Sequence, residues 1–259
     1  MHSIIIPHSD RNAYLDQCLW SITRSSQFTG ATHYEVIVVD NGSRIRPQSN
    51  EPRVKFVYDD TPMDPFNKPR LQNLGIEAAL LVAPDKFHSH TLSFLDADAI
   101  VGIHWVCAPA LLLDGLTKVC YRVRTLPKEH LGYLQREPDR ASLVQRWFDN
   151  YSTYTRAFEG YVKPDTNGDT GEPVFGNSQF SIRRSVLGDL RFNEEYKGRG
   201  YEDVWMNREI WRHYGEKYKA VLELNPAWAL FHIRYSGPEA KGWDAGENNK
   251  LNHKRYYAT

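Results

Sequence analysis

The chain has 259 residues, enough for one large or two small domains with a sizeable core. Its 32 basic residues balance 32 acidic ones, which argues against a general nucleic-acid or membrane-surface binder, because such proteins carry a basic excess. Cys18, Cys107 and Cys120 show no paired spacing, so they read as reduced thiols and not as a disulfide framework or zinc site. Met1-His2-Ser3-Ile4-Ile5-Ile6-Pro7 lacks the basic start of a signal peptide. No apolar run approaches the roughly 20 residues of a transmembrane helix. A cytoplasmic protein with no integral membrane segment and no nucleic-acid partner is expected.

The first third alternates strands and helices. Ser3 to Ile6 is a β-branched run that Pro7 is expected to stop. Tyr14 to Ser25 spaces Leu15, Cys18, Leu19 and Ile22 at helical intervals. Tyr34 to Val39 is a continuous apolar run, as in a buried parallel strand, and ends in the turn signal Asp40-Asn41-Gly42-Ser43. Val54 to Tyr58 predicts a third strand, Leu71 to Val82 a helix closed by Pro84, and Thr91 to Leu95 a fourth strand. This order predicts an α/β fold: a Rossmann-like, mostly parallel sheet flanked by helices. Ligands bind such sheets at the carboxyl ends of the strands. The polar segments His8-Ser9-Asp10-Arg11, Asp40 to Ser43 and Asp96-Ala97-Asp98 all fall there.

In the middle, His104 to Leu116 reads as a helix, Lys118 to Thr125 as a strand and Leu143 to Phe158 as an aromatic-rich helix. Lys163 to Pro173 is poor in apolar residues and reads as a mobile loop; its acids match no calcium-loop spacing. Val174 to Ile182 is strand-like. Val204 to Trp211 is helical, and Ala229-Leu230-Phe231-His232 is an apolar run ending in histidine.

Three groups of residues carry chemistry. Asp96 and Asp98 follow an apolar strand two positions apart, and carboxylate oxygens are hard ligands that suit Mg²⁺ or Mn²⁺. An ion held there can also hold a diphosphate, although the same acids are ordinary in an Asx-type turn. His232 can complete a mixed oxygen and nitrogen site for Mn²⁺, or serve a structural role. Glu202 and Asp203 follow Gly198-Arg199-Gly200-Tyr201 at a helix start. The helix dipole favours acids there, and a carboxylate so placed also suits a general base. The segment Gly242 to Lys250 is polar and glycine-rich. It can fold over a nucleotide with Lys250, Lys254 or Arg255 toward the diphosphate, or form a loose tail.

Taken in order, Ile4-Ile5-Ile6-Pro7 with Asp10-Arg11, Val38-Val39-Asp40-Asn41-Gly42-Ser43, Asn73-Leu74-Gly75-Ile76 and Phe94-Leu95-Asp96-Ala97-Asp98 resemble the family 2 glycosyltransferases of the GT-A fold. Gly176-Asn177 onward to Tyr201-Glu202-Asp203 resembles a galactosyltransferase-type C-terminal segment. His232, Gly237 and Glu247-Asn248 resemble the tail of bacterial chondroitin-polymerase-like transferases of polysaccharide biosynthesis.

The resemblance implies one GT-A domain over 1–259. Residues 1–115 would form the nucleotide-sugar half, 116–235 the acceptor half and 236–259 a tail closing over the nucleotide. It implies a UDP-sugar donor, a saccharide or glycan acceptor, and Mn²⁺ or Mg²⁺ as cofactor. Pro7 and Arg11 would wall the nucleotide pocket with Ala97 beside it. Asp40 would contact the uracil or ribose, and Arg70 and Asn73 would lie near the diphosphate or base. Asp96 would contact the ribose or donor sugar. Asp98 and His232 would bind the metal. Asp203 would be the catalytic base of an inverting displacement, with Glu202 holding a sugar. Two departures stand out: Pro7-His8-Ser9-Asp10-Arg11 in place of Pro-x-Tyr-Asn-Arg, and Arg199-Gly200-Tyr201 in place of Trp-Gly. A non-catalytic nucleotide- or carbohydrate-binding module is the alternative. A sugar-nucleotide pyrophosphorylase fits less well, since a basic glycine-rich loop is missing after the first strand.

Overall fold

The computed structural model describes residues 1–61, 66–80, 90–121, 123–153, 156–158, 179–198, 201–215, 220–223, 228–233, 250–252 and 254–255. The first strand, β1 (His2–His8), is buried along its whole length. It pairs in parallel with β2 (Tyr34–Asp40) on one side and β4 (Thr91–Phe94) on the other. β2 pairs in turn with β3 (Val54–Tyr58). Burial on both faces explains why β1 and β2 are continuous apolar runs and do not alternate.

Pro7 does not stop β1: it lies opposite Val39, and His8 opposite Asp40. The carbonyl of Ile5 accepts the N–H of Leu95, so backbone groups at Ile5 and, two residues on, Pro7 face the β4 side. Pairing with β4 ends at Ile5 and Phe94. The missing N–H of Pro7 therefore costs no ladder bond.

Side chains alternate across this sheet. Ile4, Ile6, Val36 and Val38 pack with Leu15, Cys18, Leu19 and Ile22 of α1 (Asn12–Thr29). Ile5, Ile37 and Val39 pack on the other face with Leu71, Ile76 and Ala79 of α2 (Lys68–Leu80). Gly75 marks the closest approach of α2 to β1. A Cβ there would overlap Ile5 Cγ2 and lie 3.3 Å from both Ile5 Cγ1 and Val39 Cγ2.

Before the middle of the chain come β5 (Ala99–Val101) and a short helix, α3 (Ala108–Leu112). The expected helix over His104 to Leu116 is thus a 3₁₀ turn at Trp105–Cys107 followed by α3. The expected strand over Lys118 to Thr125 divides into β6 (Lys118–Tyr121) and β7 (Val123–Leu126). These join different sheets. α4 (Glu129–Arg136) and α5 (Arg140–Asp149) follow. α5 starts earlier than its apolar pattern suggests because the Asp139 side chain caps it, accepting the N–H of Ser142. Its end at Asp149 corrects the long helix expected to Phe158, where β8 (Arg156–Phe158) lies instead.

The last third contributes β9 (Phe180–Arg183), the short helix α6 (Arg184–Leu187), α7 (Glu202–Tyr214), β10 (Ala220–Glu223) and β11 (Leu230–Ile233). The large sheet has the order β10-β6-β9-β4-β1-β2-β3, with only β9 running against the rest. The small sheet has the order β5-β11-β7-β8 and packs Ile100, Leu126, Phe231 and Ile233 against Leu134, Val144, Trp147 and Phe148 of α4 and α5. The expected mixed α/β fold, a mostly parallel sheet flanked by helices, is observed. The segments 163–173, 174–178, 199–200 and 234–249, on which a loop, a strand start, a glycine turn and a closing tail were expected, lie outside the described residues.

Candidate active site

β1 lies between β2 and β4, so the chain leaves it in opposite directions and a crevice opens at the carboxyl ends of these strands. Pro7 and His8 end β1, Asp40 ends β2, and Asp96 to Asp98 follow β4. Asp40 is buried. His8 Nδ1 donates to its Oδ1 at 2.7 Å, while His8 Nε2 accepts the backbone N–H of Arg11 at 3.2 Å, which together assign the neutral tautomer. Ser43 adds its hydroxyl to Oδ1 and its N–H to Oδ2. Burial alone would raise the Asp40 pKa, but these hydrogen bonds outweigh it and hold the carboxyl below its ordinary value. Asp40 is a fixed anionic acceptor.

The turn after β4 closes with the Ala99 N–H on the Asp96 carbonyl at 3.1 Å, with Ala97 buried within it. Asp96 and Asp98 have different surroundings. One oxygen of Asp96 meets Lys68 Nζ at 2.5 Å and the other accepts from Gln179 Nε2, while Gln179 Oε1 accepts the Asp96 N–H at 2.9 Å. Asp98 is 3% exposed. Its Oδ2 lies 3.1 Å from His232 Nε2 and 3.3 Å from Arg11 Nη1, and its buried Oδ1 has no hydrogen-bond partner among the described residues. Burial would raise the Asp98 pKa, but His232 and Arg11 hold it well below the usual carboxylate range. Burial would lower that of His232, and Asp98 raises it above its ordinary value.

The small sheet explains how His232 arrives there. β5 begins directly after Asp98 and pairs antiparallel with β11, placing His232 opposite Ala99. The N–H of Ile233 then donates to the Asp98 carbonyl at 3.0 Å. Asp96, Asp98 and His232 each present a donor atom within 4.8 Å of the others. In an octahedron with bonds of about 2.0–2.1 Å, neighbouring ligands lie about 3 Å apart and opposite ones about 4 Å. Two carboxylates and an imidazole suit Mn²⁺ or Mg²⁺. A buried carboxylate oxygen with no protein partner is the kind of atom such an ion satisfies. Asp96, Asp98 and His232 are a group that could hold a divalent cation. Asp96 is already engaged by Lys68 and Gln179.

The acids expected at a helix start are found there: Glu202 and Asp203 open α7. Tyr201, just before them, has φ 70°, a left-handed conformation uncommon outside glycine. Lys68, in the first turn of α2, is buried and bridges the two sides, 2.5 Å from Asp96 and 3.6 Å from Glu202 Oε1. Burial would lower the Lys68 pKa, but Asp96, Glu202 and Asp203 raise it above its ordinary value. Glu202 is also buried. Desolvation and the neighbouring Asp203 push its carboxyl pKa up, tempered by Lys68. Asp203 is less buried, and its Oδ1 accepts the Val204 N–H at 2.9 Å.

Arg70 and Asn73 are held elsewhere along α2. Arg70 Nε donates to Asp59 Oδ2 at 2.8 Å. The Asn73 amide donates to the Phe192 carbonyl and Glu194 Oε1, both at 2.9 Å, and accepts the Phe192 N–H at 2.9 Å. Among the described residues, neither shares a hydrogen bond or ion pair with Asp96, Asp98 or His232. Arg255 contacts the Glu195 carbonyl, and Asn252 donates to that of Lys197 at 2.9 Å.

Sequence reasoning passed over Lys68, Gln179 and the His8 ring. Lys68 left one signal, because a cation in the first helical turn opposes the helix dipole and calls for an anion nearby. Gln179 left none.

Residues 3–191 match Glycosyl transferase family 2. The chain belongs to this family. The match ends before Tyr201-Glu202-Asp203, so the galactosyltransferase-type character of that segment is not part of it. Among solved structures, TarS 1-349 from S. aureus in complex with UDP has a TM-score of 0.57 at 15% identity, covering 90% of this chain and 60% of that one. The same protein in complex with UDP-GlcNAc gives 0.56 at 14%, covering 93% and 60%. The mannosyltransferase PcManGT from Pyrobaculum calidifontis, in complex with GDP-Man and Mn²⁺, gives 0.54 at 13%, covering 99% and 63%. At such identities the likeness shows the fold alone. The chain spans about three fifths of the length of these structures. No curated protein matches it in sequence.

Proposed function

We propose that this family 2 member is a metal-dependent glycosyltransferase that moves a sugar from a UDP-sugar to a hydroxyl of a saccharide or glycan acceptor. The observation that carries the reading is Asp98: a buried anion beside His232 and Arg11, with one oxygen unpartnered, at the carboxyl edge of the sheet. Mn²⁺ or Mg²⁺ on Asp98 and His232 would supply charge stabilisation to the departing diphosphate. Pro7, Arg11, Asp40 and Ala97 line the donor side in this reading. Arg70 and Asn73 brace its wall through Asp59 and the 192–194 segment. Asp96 and Lys68 face the donor sugar.

Asp203 takes the proton of the acceptor hydroxyl. The acceptor oxygen bonds to the anomeric carbon as that carbon's bond to the diphosphate oxygen breaks, the electron pair leaving with the diphosphate. A single displacement inverts the configuration. Glu202, with its raised proton affinity, is suited to hydrogen-bond a sugar hydroxyl while Asp203 acts as base. Residues 1–115 form the donor half and 116–235 the acceptor half, joined by the Lys68 contacts to Asp96 and Glu202. The three cysteines are free thiols, which supports a cytoplasmic setting. Among the described residues no helix is long and apolar enough to cross a membrane.

Thermal stabilisation tests the reading, since a ligand that binds only the folded state raises the melting temperature by mass action. UDP with Mn²⁺ is expected to raise it, and UDP alone or ATP to do so far less. No shift with any nucleotide would leave a carbohydrate-binding module as the better account.

A further inference from the structure

A second buried lysine stands outside the site described so far. Lys118 opens β6 and is 0% exposed, although lysine is almost never fully buried unless paired. Its Nζ donates to Asn207 Oδ1 at 2.9 Å and lies 4.0 Å from the centre of the Phe180 ring. Cys120 lies two residues along the same face of β6. Asn207 is one helical turn beyond Asp203, and residues four apart share a helix face. Lys118 is therefore anchored to the face of α7 that carries Asp203. The charge of Asp203 acts on both Lys118 and Cys120. Burial weakens the proton affinity of Lys118, and Cys120 and Asp203 partly restore it. Burying an ammonium is costly, and apolar side chains commonly replace buried ions without loss of stability. Packing alone gives no reason for lysine here.

We infer that Lys118 is a positioning residue for Asp203: anchored on Asn207, it fixes the first turn of α7 against β6 and keeps a positive charge near the carboxylate that takes the acceptor's proton. The inference rests on the reading of Asp203 as the base. Among the described residues, the charged and titratable groups around Asp203 are Glu202 beside it on α7, Lys68 from α2, and Lys118 with Cys120 from β6. Asp96, from the turn after β4, reaches this group through Lys68. Lys68 is in direct contact with Asp96 and Glu202 and also feels Asp203, while Lys118 is the cation anchored on the helix face that carries Asp203.

The test uses the full chain with Mn²⁺ and follows UDP release from UDP-GlcNAc, with water as acceptor, alongside UDP binding and melting temperature. Lys118→Met is expected to keep the fold and to bind UDP within about threefold of wild type. Its turnover is expected to fall by about tenfold or more. The acid limb of its pH–rate profile is expected to move to higher pH, because removing a cation disfavours the ionised carboxyl. Asn207→Asp gives Lys118 a direct anionic partner and is expected to move the same limb the same way; it decides the matter if Lys118→Met does not fold. Folded variants with unchanged turnover and an unmoved limb overturn the inference. So does a loss of turnover matched by loss of UDP affinity with no movement of the limb, which marks a merely structural lysine. A wild type that neither binds UDP nor releases it overturns the reading of the site, and this inference with it.

Discussion

Replacing Gly75 by alanine sets two effects of opposite sign against each other. In the interior of a helix, alanine is favoured over glycine by about 1 kcal/mol. Against this, the new Cβ would stand under 3.0 Å from Ile5 Cγ2, and 3.3 Å from Ile5 Cγ1 and Val39 Cγ2. Ile5 is fully buried at the centre of β1, with partner strands on both sides, and Val39 is fully buried beside it on β2. Neither strand has room to retreat, so α2 must move outward. Overpacking costs about 1–3 kcal/mol; a Cβ this close to a side chain on a fixed strand belongs to the upper part of that range, about 2–3 kcal/mol, so the net loss is expected to be about 1–2 kcal/mol. At roughly 2–4 °C per kcal/mol for a chain of this size, the melting temperature falls by about 2–8 °C. Thermal and urea unfolding measure it directly. α2 carries Lys68 at its start, so the same movement draws Nζ from Asp96 and, on the proposed reading of the site, is expected to weaken stabilisation by UDP with Mn²⁺. A Gly75→Ala variant as stable as wild type, or more stable, would refute the close-packing argument. Ile5→Ala, which removes the colliding methyl, supplies the control: combined with Gly75→Ala, the loss should be smaller than the sum of the two single losses.

Asp98→Asn is expected to abolish the Mn²⁺-dependent part of UDP stabilisation in a thermal-shift titration; an unchanged Mn²⁺ response removes Asp98 from the metal site. Asp203→Asn should bind UDP normally and lose about 10²–10⁴-fold in turnover, the usual contribution of a general base; near-normal UDP release would take Asp203 out of the mechanism. Acid should destabilise the fold through His2, whose pKa is lowered to about 3 by burial. The folded state then binds fewer protons than the unfolded one below about pH 6.5, so stability is full above that pH and is lost as pH falls toward 3. Between pH 6.5 and 5 the loss from His2 alone is about 2 kcal/mol. Urea midpoints at pH 7 and 5 measure it, and His2→Asn should flatten the slope; an unaltered slope means that His2 is not the group responsible.

The first third of the fold was legible because its signals are local. Strands buried on both faces appear as unbroken runs at Ile4 to Ile6 and Tyr34 to Val39, and the acids that end them stand next in sequence. Asp96 and Asp98 were visible for the same reason. The division of Lys118 to Leu126 between two sheets was not. Both halves have strand composition, and the change of sheet is set by β9 and β11, which lie far along the chain. α5 begins before its apolar face does because its start depends on the Asp139 cap. The site was legible residue by residue but not in its wiring. The sequence gives no sign that Lys68 joins Asp96 to Glu202, or that the Asn73 amide is spent on Phe192 and Glu194. Such contacts depend on side chains brought together from distant segments.

The pairing of β5 with β11 also orders events during synthesis. Asp98 and His232 are 134 positions apart, and the three-residue pairing of Ala99–Val101 with Leu230–His232 brings them together. Strands β1 to β4 can leave the ribosome and begin to fold while the imidazole has yet to be made. At about 5–20 residues per second, that interval lasts on the order of 10 s. A nascent chain would hold the acids of the site well before it holds the histidine. The cluster of Asp96, Asp98 and His232 would then be completed late, with the docking of β11.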